Sequence, residues 1–152
     1  MPFWQIFHTP TAFADLSAKA ALVRDITAFY VSGGLPDFYV VVVFRPMTGE
    51  DMWVGGKPAA AHDRDSSTLR RPFVRLVISH LAVQHGPNDA ALGAMTDRIN
   101  KWLVSHLEWY DWEYTIDEPP RGGWRINGLA PPPHGTDAEK KWAAEAKPSP
   151  WE

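Results

Sequence analysis

One pattern occurs twice in this chain, and it limits the folds available more than any other feature. Pro2-Phe3-Trp4-Gln5-Ile6-Phe7-His8 is echoed by Pro72-Phe73-Val74-Arg75-Leu76-Val77-Ile78-Ser79-His80. Aromatic and β-branched residues dominate both stretches, and such side chains fit a pleated, half-buried strand. Each stretch leads into residues at helical spacing. In the first, Leu16, Ala20, Val23, Ile26 or Thr27, and Tyr30 form an apolar stripe, with Asp15 or Ser17 as N-cap and Gly33-Gly34 as the stop. In the second, Asn88 or Asp89 caps a stripe of Leu92, Met95, Ile99, Leu103 and Leu107. A strand closes each unit. Phe38 to Phe44 is a continuous apolar run that reads as a strand buried on both faces, and Trp109 to Ile116 closes the second.

The chain is therefore a diverged repeat of a β-α-β unit, offset by roughly seventy residues. Two such crossovers share one sheet and put both helices on one face. The expected fold class is α+β, an α/β sandwich with a mostly parallel four-stranded sheet under two helices. The 152 residues are read as a single domain with repeat units at about 2–46 and 72–117 and an extension at about 118–152. The other face of the sheet needs cover, and a partner subunit is the simplest.

Between the units, Trp53-Val54 is a short strand closed by Gly55-Gly56, and residues 57–71 are a polar loop. In the extension, Pro119 to Gly123 is a turn, Trp124 to Leu129 a short strand, and Thr136 or Asp137 the cap of a last helix through Trp142. The tail from Pro148 lies on the surface or on a neighbour.

Composition narrows the function classes. A net charge of −3 gives no reason to expect nucleic acid or an anionic membrane as partner. The absence of cysteine removes disulfides, thiolate metal sites and Cys nucleophiles. No leader is read at the N-terminus and no apolar run reaches ~18 residues, so a cytoplasmic location is expected. His8 and His80 each end a strand, and neither has a second ligand at metal spacing; no metal or other cofactor is expected. Pro2 follows the initiator Met1. If Met1 is removed, Pro2 carries a free secondary amine at the head of a buried strand, where most N-termini are neither ordered nor dry.

Tandem β-α-β units headed by Met1-Pro2 resemble the tautomerase superfamily, and within it the cis-3-chloroacrylic acid dehalogenase group. Ser17-Ala18-Lys19 with Ile26-Thr27, Gly55-Gly56, Phe73-Val74, and Trp112 with Tyr114 carry the resemblance over roughly residues 2–133. It implies a trimer, and a catalytic Pro2 that moves a proton in an enol or unsaturated acid. An α-amine titrates near 8 in water, and burial or nearby cations lower that value towards neutrality.

The resemblance also implies site residues. Tyr114 matches a substrate-contacting tyrosine, Tyr30 stands where the dehalogenases have a histidine, and Arg125 stands where they have the glutamate that activates water. Their paired arginines align with Ser79 and Ala82. Arg125 stays charged and cannot deprotonate water, so isomerisation is expected ahead of hydrolysis. Arg75 and Arg125 are the candidate carboxylate clamps, each with a surface or ion-pair alternative. Tyr114 and Tyr30 are candidate substrate contacts or packing residues. His80 is a candidate pocket residue, and Asp37 a turn residue that also matches a decarboxylase aspartate. The alternatives to a tautomerase are a hydratase, dehalogenase or decarboxylase of a small acid, and a non-catalytic trimeric binding protein.

Overall fold

The structure is a computed structural model that describes residues 1–59, 71–82, 85 and 89–151. Its elements are β1 (Pro2–His8), α1 (Leu16–Ser32), β2 (Val41–Pro46), β3 (Trp53–Val54), β4 (Lys57–Pro58), β5 (Phe73–His80), α2 (Asp89–Leu107), β6 (Asp111–Asp117) and α3 (Asp137–Glu145). Four strands form one sheet in the order β2-β1-β5-β6. β1 runs parallel to β2 and β5 parallel to β6, while the central β1–β5 pair is antiparallel. The repeat is written into the register. Phe3 pairs with Val41 and Phe73 with Asp111, each member of the second pair lying 70 residues on.

Strand alternation sorts the two faces. Trp4 and Ile6 of β1, with Val74, Leu76 and Ile78 of β5, are fully buried against α1 and α2. Leu22, Ile26 and Tyr30 meet them from α1, and Met95, Ile99, Leu103 and Leu107 from α2. The odd-numbered residues Phe3, Gln5, Phe7, Phe73, Arg75 and Val77 are only half-buried on the opposite face. Asp15 caps α1 through Oδ1, which accepts from the Ser17 amide at 2.9 Å. At the other end Gly34 has φ +89° and reverses the chain, a conformation that costs glycine little.

Four details correct the sequence reading. Asp37 Oδ1 captures the Phe38 amide at 2.6 Å, and Asp37–Tyr39 forms a 3-10 turn, so the strand starts at Val41. β2 is then an edge strand with Val41 exposed, not one buried on both faces. The second unit's closing strand begins at Asp111, because the Tyr110 amide still bonds the last turn of α2 at Leu107. Residues 124–129 form no strand. Asn127 and Gly128, at φ +50° and +83°, fold them into a tight turn bridged at Ile126 and Leu129.

The polar loop keeps only its ends inside the described residues, with Lys57–Pro58 pairing back on Trp53–Val54. Residues 60–70 and the candidate cap Asn88 lie outside the described residues. Thr136 caps α3, as expected. The tail folds back on its own chain: Trp142 Nε1 donates to Ser149 O and Trp151 Nε1 to Ala130 O. Among the described residues, no helix is long and apolar enough to cross a membrane.

Candidate active site

β1 begins where β5 ends. Pro2 is buried and pairs with His80, and the Leu81 amide donates to Met1 O at 3.2 Å. The α-amine of Met1 therefore enters the interior rather than solvent. Burial draws its pKa down from 8.0 to about 4, the Arg121 guanidinium pushes the same way, and the Glu139 carboxylate opposes both. At neutral pH the amine carries a lone pair rather than a charge.

The extension supplies the walls around this amine. Arg121 opens a 3-10 turn, and its side chain reaches inward, donating through Nη1 to Ala82 O at 2.8 Å and through Nη2 to Pro131 O at 3.1 Å and to Pro132 O. Its guanidinium lies over the Trp124 ring, 5.5 Å from the centroid. Glu139 comes from the first turn of α3 and is 1% exposed. The local sequence explains its direction. Thr136-x-x-Glu139 is a capping pattern in which Thr136 Oγ1 accepts from the Glu139 amide and the carboxylate turns back over the helix start. Glu139 Oε2 accepts from Gly135 N at 2.8 Å and meets His134 Nδ1 at 2.9 Å.

Three buried polar atoms in this region have no hydrogen-bond partner among the described residues: Glu139 Oε1, Tyr39 Oη and Trp124 Nε1. The Tyr39 ring packs edge-on to Trp124 at 4.8 Å and to Trp142 at 6.3 Å. Burial, reinforced by the Glu139 carboxylate, holds the Tyr39 phenol well above its usual pKa, so it stays a donor. Buried polar groups normally find partners. A donor, an acceptor and an indole N–H without one, gathered round a neutral amine and a guanidinium, make a place equipped for a small polar ligand.

A cavity of about 260 Å³ opens on the same end. Phe29, Tyr30 and Met95 give it an apolar floor, and His80, His134 and Arg98 give it polar walls. His80 ties it to Pro2 through the strand pair, and His134 ties it to Glu139. Tyr30 is buried, accepts from Trp4 Nε1 at 3.2 Å, and lies 5.6 Å from the His80 ring.

Of the residues expected from sequence, the fold thus gathers Pro2, Tyr30 and His80 and places the other three elsewhere. Arg75 faces Phe7, five residues from His80 along β5, roughly 17 Å at the usual strand rise. It pairs with Glu113 Oε1 at 2.6 Å and lines a broader groove of about 870 Å³ with Trp53 and Trp112 at the far end of the sheet. Tyr114 donates to Asn100 Oδ1 at 3.0 Å, between β6 and α2. Arg125 is exposed and donates to Gly122 O and Trp124 O. Arg121, Glu139, Tyr39, Trp124 and His134, which the geometry gathers at this end, were not among the residues expected from sequence. The capping pattern was a legible signal for Glu139, but only for its structural role.

A family model described as "Putative oxalocrotonate tautomerase enzyme" matches residues 1–147. The solved structure of native RhCC from Rhodococcus jostii RHA1 is 38% identical, with a TM-score of 0.83, covering 98% of this chain and 99% of that one. N1, a member of the cis-3-chloroacrylic acid dehalogenase family, shares the fold at 14% identity and a TM-score of 0.66, covering 95% of this chain and 97% of its own. A fused 4-OT solved as an asymmetric trimer shares it at 17% identity and a TM-score of 0.58, covering 84% and 94%. No protein of curated function matches the chain.

Proposed function

The chain belongs to this oxalocrotonate tautomerase family, within the tautomerase superfamily, and from that premise we propose that it is a tautomerase or isomerase whose proton carrier is Pro2. The substrate is a small enol, 2-oxo or α,β-unsaturated carboxylic acid. The observation that carries this reading is the neutral, buried α-amine at the head of β1, beside Arg121, Tyr39 and Glu139. Removal of Met1 passes the role of terminal amine to Pro2, the buried first residue of β1. The same desolvation and the same guanidinium then act on a secondary amine, and an amine poised near neutrality is an efficient proton carrier.

In the proposed reaction the Pro2 nitrogen takes the enol proton and returns it to the substrate carbon that becomes sp³, so that no water and no redox partner is consumed. Negative charge gathers on the enolate oxygen in between. The Tyr39 hydroxyl and the Arg121 guanidinium are the fixed donors for it, and such donors act most strongly where water is excluded. Tyr30 and His80 shape the pocket. Arg75 sits on the half-buried sheet face, and its part in substrate binding is proposed to come through a neighbouring copy, in a trimer like that of the fused 4-OT. Tyr114, bonded to Asn100 between β6 and α2, is proposed to serve as a packing residue, and Arg125 to reach substrate only in such an assembly.

A second reading, hydration of an unsaturated acid, is favoured by one observation. Glu139 Oε1 is a buried carboxylate oxygen with no partner among the described residues, and a carboxylate can activate water where Arg125 cannot. The test begins with the intact mass, expected to lack Met1. Ketonisation of phenylenolpyruvate and 2-hydroxymuconate is then followed for the protein and for Pro2→Ala. A loss of about a hundredfold or more is expected for the variant. Equal rates, or a native mass that includes Met1, overturn the mechanism. Glu139→Gln separates the two readings: ketonisation survives it and hydration does not.

A further inference from the structure

We propose that His80, His85 and Glu118 form a binding site for a divalent transition-metal ion of the zinc type, on the rim of the cavity beside Pro2. His80 ends β5, and Glu118 follows the last residue of β6, so parallel pairing of these strands brings their ends together. One candidate ligand atom from each of the three residues lies within 4.8 Å of the others. Glu118 Oε1 is 2.8 Å from His85 Nδ1 and 3.8 Å from His80 Nδ1. Both carboxylate oxygens also accept from the His85 amide, at 3.0 and 2.9 Å, which fixes the carboxylate. The two imidazoles are nearly parallel, with ring centroids 5.8 Å apart and an interplanar angle of 20°.

A simple His85–Glu118 ion pair accounts for the shortest of these contacts. It does not account for His80, whose side chain is 5% exposed and turns its Nδ1 towards the same carboxylate. Zinc binds imidazole nitrogen and carboxylate oxygen at about 2.0–2.2 Å, which sets tetrahedral ligand atoms roughly 3.3 Å apart. The distances from Glu118 Oε1 to the two imidazoles bracket that value, and all three ligand atoms lie within 4.8 Å of one another. Two neutral imidazoles and one carboxylate suit zinc and its first-row neighbours rather than magnesium or calcium. Three protein ligands leave a coordination position open, on a cavity that His80 and His85 both line. The ion would clamp the ends of β5 and β6 together with His85. The clamp holds the cavity rim and takes no part in the proton transfer proposed for Pro2.

The experiment uses full-length, tag-free protein stripped with a chelator, then titrated with zinc chloride by calorimetry and with cobalt chloride by visible absorption. One zinc per chain is expected, with cobalt d–d bands and a raised melting temperature on loading. His85→Ala and Glu118→Gln should each weaken binding at least about tenfold. His106→Ala, whose imidazole pairs with Asp25 between the helices, should bind like the parent. No saturable binding by the parent protein overturns the site, whatever the variants do. Parent-like affinity in both His85→Ala and Glu118→Gln overturns the assignment of its ligands.

Discussion

The two ends of the sheet are built from the same unit and are finished differently. Register places Pro2 and Pro72 at matching positions, 70 residues apart. At the Pro72 end the chain continues through Arg71, the Pro72 carbonyl accepts from the Asp111 amide at 3.0 Å, and a broad groove lies open beside Phe73 and Arg75. At the Pro2 end the chain starts, and the extension folds over it, with Trp124 and Trp142 buried and Arg121 and Glu139 facing the amine. Duplication supplied the scaffold twice. On the proposed function only the Pro2 end carries the chemistry, because the extension covers that end and leaves the groove at the Pro72 end open.

The largest effect expected separates the two prolines. Pro2→Ala should lower kcat/KM for enol ketonisation by about 10²–10⁴-fold, while Pro72→Ala should stay within about twofold. Equal losses would mean that both prolines act through strand geometry. The next contrast concerns the covers. Trp142 is fully buried, and Trp142→Ala should cost about 3–5 kcal/mol in urea unfolding. Trp53, in the groove at the far end, is 59% exposed, and Trp53→Ala should cost no more than about 0.5 kcal/mol. Similar costs would remove the structural difference between the ends.

A smaller effect tests the polar atoms at the covered end. Tyr39 Oη is buried with no partner among the described residues, so Tyr39→Phe removes a desolvated hydroxyl without breaking a hydrogen bond. Its stability should hold or rise by up to about 1 kcal/mol, while ketonisation slows. Removing a hydroxyl that only packs would leave the rate unchanged, and a marked loss of stability would show that the hydroxyl is bonded after all.

How much of this was legible in the sequence follows from the range of the interactions. The repeat, both long helices and the central strands follow from periods of 2 and 3.6 residues, which are local. The edge position of β2 was hidden because Val41-Val42-Val43 reads alike in a central or an edge strand; only the pairing order decides. Local competition by Asp37 for the Phe38 amide shortened that strand, and positive φ at Asn127 and Gly128 removed the one expected after Gly123. Pro2, Tyr30 and His80 come together at one end of the sheet because a strand head, a helix stripe and a strand end converge by construction. Arg121 and Glu139 were not expected there, because their placement depends on how a proline-stiffened extension packs back over residues more than a hundred positions earlier. Arg125, four residues from Arg121, is exposed on the same extension.

The last contrast is a pH dependence, and it applies to chains that keep Met1. In the folded chain the Met1 amine has a pKa of about 4, against 8.0 in water. Between those values the unfolded chain binds a proton that the folded chain does not. Stability from this group therefore rises with pH across the window from about 4 to about 8, and is lost as pH falls through it. His8 adds in the same direction, since burial lowers its pKa from 6.5. Asp25 acts only in stronger acid, because its bond to His106 holds its carboxyl below 3.8. The amine's share is isolated by comparing urea midpoints across pH 4–8 for the Met1-bearing chain and its N-acetylated form. The slope should be steeper in the unmodified chain, because acetylation removes the titrating group and leaves His8 in both. Identical slopes would mean that the amine reaches solvent, and the covered end would then be no drier than the open one.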